Sequence, residues 1–114
     1  MMPKLLGRTT RERNPDAEVT VRRLIKRHSA QAIHHAVVRM MERPDARPQL
    51  KSIAVPTLVI VGEEDELTPP SAAEEIASAI PGATLVQIAE SGHLPNLEQP
   101  GAFGATVQAF IGQL

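Results

Sequence analysis

The chain has 114 residues, 42% of them hydrophobic, with a formal net charge of −1 and no cysteine. This length allows one small domain with a limited core, and the ordinary apolar content argues against disorder. The missing cysteine excludes disulfides, thiolate metal sites and a cysteine nucleophile.

The first residues, Met1 to Lys4, show no long apolar region of the signal-peptide kind, and no later run approaches a membrane span, so a cytoplasmic location without membrane contact is the expectation. Residues 1–13 hold a small apolar cluster, Leu5 and Leu6, then a polar stretch, and read as an irregular lead-in. Asn14, Pro15 and Asp16 read as a helix start: a capping side chain, proline at the first position and an acid in the first turn. Ala17, Val21, Leu24, Ile25 and His28 fall on one stripe of that helix. Ser29 can cap a second helix with Ile33, Val37, Met40 and Met41 on its buried face, ended by Pro44, so the two helices form a hairpin. His28, His34 and His35 resemble a metal cluster, but adjacent His34 and His35 diverge and no carboxylate lies at ligand spacing. No metal site is expected there. All but one of the lysines and arginines precede residue 50. They sit on polar helix faces without interleaved aromatics, so no nucleic-acid partner is expected.

Residues 43–56 are punctuated by prolines and read as a linker, with a boundary near Pro48 dividing a helical part (1–47) from a strand–helix part (48–114). Thr57–Val61 is apolar without alternation, as in a parallel strand covered on both faces. After the acidic turn Glu63–Glu66, Thr68 can cap a helix with Pro69 at its first position, and Ser71 with Glu74 offers a competing capping box. Ile76, Ala77 and Ile80 make its inner face, and Pro81-Gly82 stops it. Thr84–Ile88 is the second strand, with Gln87 on a less covered side. The loop Ala89–Asn96 carries His93. A last helix starts near Pro100 with Phe103, Val107, Phe110, Ile111 and Leu114 on one stripe. The order strand–helix–strand–helix makes the strands parallel, and functional groups in such sheets sit beyond the carboxyl ends of strands. Asp65 and His93 both fall there.

A carboxylate that accepts a hydrogen bond from imidazole fixes the tautomer and prepares the other ring nitrogen as a general base. Neighbouring parallel strands can bring the pair together. Glu64 is the adjacent candidate for the acid. A hard cation on Glu63–Glu66 is the competing reading, weakened because side chains diverge on a turn and no phosphate-binding glycine loop accompanies them.

Three runs carry a resemblance. They are Pro-Thr-Leu-Val-Ile-Val-Gly-Glu-Glu-Asp-Glu-Leu-Thr-Pro-Pro from Pro56 to Pro70, Ile-Pro-Gly-Ala-Thr-Leu-Val from Ile80 to Val86, and Ser-Gly-His-Leu-Pro-Asn-Leu-Glu-Gln-Pro from Ser91 to Pro100. Together they resemble the C-terminal part of an α/β-hydrolase, most of all the capped esterases and enol-lactone hydrolases. Upstream, Leu5-Leu6-Gly7 and the helices at 15–42 resemble the end of the helical cap. The resemblance implies a partial α/β-hydrolase fold: a cap remnant followed by the last two parallel strands and their helices. It implies that Asp65, in the family's Gly-x-x-Asp place, and His93 are the acid and histidine of a Ser-Asp-His triad, with no cofactor and no metal. The family nucleophile stands in Gly-x-Ser-x-Gly. Ser29, Ser52, Ser71, Ser78 and Ser91 all lie outside that motif. The expectation is therefore a hydrolase fragment that lacks the nucleophile elbow and is inactive alone. Completed, it would act on a small-molecule carboxylic ester or lactone. Thr57–Val61 would then lack its upstream neighbour, which predicts self-association or docking to a complementary N-terminal half. The alternative is a non-catalytic, oligomerising interaction module derived from the same fold.

Overall fold

The computed structural model describes residues 2–114. At its centre two parallel strands, β1 (Leu58–Gly62) and β2 (Thr84–Ile88), pair in register from Leu58 opposite Thr84 to Gly62 opposite Ile88. Their β-branched runs suit a pleated, half-buried surface, and the parallel pairing needs a crossover, which α5 (Pro70–Ala79) provides. This helix packs on both strands. Ala73 and Ile80 are buried on its inner face, whereas Ile76, expected there, is 39% exposed. The reason is local: Ile76 borders a cleft beside β1 that is open to solvent.

The lead-in is not irregular. It forms two short helices, α1 (Met2–Leu5) and α2 (Arg8–Arg13). No local side chain caps α2. Its early donors are met instead by distant carboxylates, Glu98 at the Gly7 amide and Glu64 at the Thr9 amide. A helix stabilised in that way leaves no local sequence signature.

Helix α3 (Pro15–Lys26) starts where expected, but Asn14 does not cap it through its side chain; only its carbonyl accepts, from the Ala17 amide at 3.1 Å. Ala17 and Val21 are buried, and they join Leu6 in a small core packed against Leu5, Leu94 and Leu97. Leu24 and Ile25, on the same expected stripe, lie exposed. Ser29 does cap α4 (Ala30–Glu42), accepting from the Ala32 amide at 3.0 Å. The expected hairpin core is not formed, because α3 packs on α2 and α4 buries no residue at all. Met40 and Met41 are 64% and 80% exposed. Amphipathicity marks a face that suits burial, but it does not supply the covering surface.

Within the proline-rich stretch a 3₁₀ turn, Arg47–Ser52, packs on α5. After β2 come a short helix, α6 (Pro95–Glu98), and the long α7 (Pro100–Gly112), which lies against β2. Phe103, Val107 and Phe110 of α7 are half-buried, while Ile111 and Leu114 are exposed. The whole is a small α/β fold with helices flanking a two-stranded parallel sheet. Among the described residues no helix is long and apolar enough to cross a membrane.

Candidate functional site

Both loops that matter leave the sheet at the same end. β1 finishes at Gly62, and the chain turns with the Asp65 amide donating to the Gly62 carbonyl at 3.1 Å. β2 finishes at Ile88, and its continuation runs against that turn: the Glu63 amide donates to the Ile88 carbonyl at 2.9 Å, and the Glu64 amide to the Ser91 carbonyl at 2.7 Å. A β-carbon on Gly62 would stand 2.0 Å from the Gly92 carbonyl oxygen. Only glycine allows the loops this close.

Asp65 is 7% exposed. Its Oδ1 accepts from the Leu67 and Thr68 amides, each at 3.0 Å, and its Oδ2 accepts from the Thr68 hydroxyl at 3.1 Å. The same Oδ2 lies 3.1 Å from His93 Nδ1 across 28 positions of sequence. The His93 side chain is 34% exposed against 5% for Asp65, so the pair has a buried acid end and an accessible imidazole end. With Asp65 ionised, Nδ1–H is the donor, and Nε2 is left free to accept a proton. Asp65, His93, Thr68 and the Val59–Gly62 strand line a cleft of about 250 Å³.

Thr68 does not cap α5, which begins one residue later than expected, at Pro70, without a side-chain cap. Its hydroxyl instead sits on the pair, 3.3 Å from His93 Nδ1 as well as on Asp65. Glu64 turns away from the histidine. Its carboxylate accepts from the Thr9 amide at 2.8 Å and the Thr9 hydroxyl at 2.5 Å. Burial opposes its ionisation, but these bonds and the nearby Arg8 and Arg11 charges outweigh it and hold its pKa below the ordinary value. Glu63 and Glu66 point to solvent, so the acidic turn diverges. Among the described residues no three His, Asp or Glu side chains gather as a metal site. Ser91 is fully buried, with no hydrogen-bond partner at its hydroxyl among the described residues, and offers no accessible nucleophile.

One residue at the site lies in the Ser91–Pro100 run but has no role assigned to it by the sequence. Glu98 is 5% exposed, and its carboxylate accepts from the Gly7 amide at 2.7 Å, the Gly92 amide at 3.0 Å and the Leu94 amide at 2.9 Å. The usable clue is an acid in a four-residue helix whose neighbours Leu94 and Leu97 belong to the core.

The sequence profile of the α/β-hydrolase fold family matches residues 5–100. This chain is an α/β-hydrolase family member. Among solved structures, this α/β-hydrolase chain is similar to a thermophilic esterase from Thermogutta terrifontis, with a TM-score of 0.94 and 32% identity over 99% of this chain and 42% of that one. It is similar also to an enol-lactonase from Burkholderia xenovorans, with a TM-score of 0.84 and 30% identity over 97% of this chain and 42% of that one. A pimeloyl-[acyl-carrier protein] methyl ester esterase from Neisseria meningitidis serogroup B is 33% identical over 85% of this chain and 39% of its own length. The chain thus spans less than half the length of each of these relatives.

Proposed function

We propose that Asp65 and His93 are the acid and the general base of a Ser-Asp-His hydrolase acting on carboxylic esters or lactones, with the serine supplied by a segment outside these 114 residues. The observation that carries this reading is the 3.1 Å contact between His93 Nδ1 and a buried Asp65 carboxylate at the carboxyl ends of two parallel strands. In the completed site His93 Nε2 takes the proton from the serine hydroxyl as it attacks the acyl carbon. The imidazolium that forms is stabilised by Asp65 and returns the proton to the leaving alkoxide. Water, deprotonated by the same nitrogen, then releases the acid. The esterase and lactonase relatives support this substrate class.

Residues 1–47 are proposed as cap and residues 48–114 as core. The exposed apolar face of α4, with Ile33, Val37, Met40 and Met41, suits a surface that is covered in the complete protein. The test is complementation. Co-expression with an α/β-hydrolase N-terminal segment bearing Gly-x-Ser-x-Gly is expected to yield hydrolysis of a p-nitrophenyl ester, lost by roughly 10³-fold or more in His93→Ala. Turnover that survives His93→Ala would sink the assignment. The second reading, a non-catalytic oligomerising module, is favoured by the same exposed α4 face. It predicts a stable homo-oligomer and no ester turnover under any complementation.

A further inference from the structure

The acid loop and the histidine loop are each tied to a third segment, Leu5–Thr10, which the triad does not use. On the histidine side the His93 amide donates to the Leu5 carbonyl at 3.1 Å. The amides on either side of His93, from Gly92 and Leu94, donate to Glu98, whose Oε1 also accepts from Gly7. On the acid side Glu64, next to Asp65, accepts from both the amide and the hydroxyl of Thr9. Gly7 lies between the two anchor points. A β-carbon there would stand 2.7 Å from Glu64 Oε1 and 2.9 Å from the Gly92 amide nitrogen, and one on Gly92 would stand 2.3 Å from the Gly7 nitrogen. Two glycines therefore permit a contact that reaches both loops at once.

We propose that Leu5–Thr10 is a strap that holds the acid and histidine loops in mutual register, with Glu98 and Glu64 as the positioning residues that fasten it. The inference rests on reading Asp65 and His93 as the acid–histidine pair. Three successive amides, at Gly92, His93 and Leu94, are fixed by groups from the strap or from Glu98. The imidazole therefore starts from a backbone with little freedom. A displacement of about 1 Å would stretch the 3.1 Å bond to Asp65 past useful length. Among the described residues the Glu98 carboxylate accepts only from main-chain amides, so it acts through His93 and not on a substrate.

The test uses the isotope-labelled 114-residue chain, reading amide exchange and the His93 ring nitrogens by NMR. In the parent chain the Gly7, Thr9, Gly92 and Leu94 amides are expected to exchange slowly, and His93 to show one tautomer protonated at Nδ1. Fast exchange at these amides overturns the strap. In Glu98→Gln the side-chain carbonyl can keep the Gly7 and Gly92 bonds, but its NH₂ then meets the Leu94 amide donor to donor. Leu94 exchange should rise at least tenfold and the His93 ring become a mixture of tautomers, while the Val59 and Val61 amides, which face β2, stay protected. Leu94 freed with an unchanged ring overturns the positioning role. If the strand amides also open, Gly7→Ala decides by the same ring signature. An unaltered ring there, or loss of strand protection in both variants, assigns the strap to folding alone and overturns the proposal. In a complemented hydrolase both variants should lower kcat at unchanged KM. A parent that never turns over would count against the triad reading and leave the ring measurement standing.

Discussion

Glu64 and Asp65 are adjacent carboxylates with opposite surroundings, and the turn geometry separates their tasks. Asp65 points inward to His93, Thr68 and two amides, whereas Glu64 points to Thr9. Because the folded-state pKa of Glu64 is depressed, the folded chain binds fewer protons there than the unfolded chain. Its contribution to stability is present above the ordinary value of 4.5 and is lost as pH falls through the lower folded value. Urea unfolding from pH 6 to pH 3 should therefore show a shallower acid-side decline in Glu64→Gln than in the parent. Identical slopes would mean that Glu64 carries no such linkage. That Asp65 and not Glu64 lies against His93 accords with the Gly-x-x-Asp place that the family resemblance implies for it. The place of Thr68 was not legible, because a threonine before Pro69 has the local chemistry of a helix cap and only its neighbours in space give it another partner.

Elements whose stability is written locally were readable. β2 has the expected bounds, β1 and α5 are displaced by one residue, and Ser29 caps α4 as its position suggests. Those stabilised from a distance were hidden: α2 forms because Glu64 and Glu98 reach its first turn from 55 and 91 positions away. The same contrast of local and distant contacts separates two glycines. Gly62→Ala would drive a β-carbon into the backbone of the histidine loop, and neither partner can rotate away. A loss of about 3 kcal/mol is expected from overpacking, together with loss of the Asp65–His93 contact. Gly104→Ala, in α7 with nothing within 4 Å of the new β-carbon, should gain up to about 1 kcal/mol through helix propensity. Denaturant melts of the two variants check both signs, and equal effects would contradict the close approach at Gly62.

Over the whole molecule, more surface is open than a compact monomer of this size exposes. A monomer of this mass, 12.3 kDa, exposes roughly 6,100 Å² by the usual scaling, against 8059 Å² here. The radius of gyration is 15.6 Å, compared with about 13 Å for a compact chain of this length. The excess, about 2,000 Å² on one side, matches the larger class of obligate interfaces. Sedimentation velocity should therefore show concentration-dependent association. Met41→Lys on the open face of α4 should weaken it while changing the unfolding free energy by no more than about 0.5 kcal/mol. A monodisperse parent monomer with a cooperative melt would refute this. Sequence alone determined the parallel strand pair, the end of the sheet that bears the acid and histidine, and the family, because periodicity, turn residues and short motifs are local or nearly so. Tertiary structure alone decided which apolar faces are covered, and that Glu98, Thr68 and the Leu5–Thr10 segment close around His93. Those contacts join positions far apart in the chain, and a buried carboxylate or a close glycine contact is defined only by what folds against it.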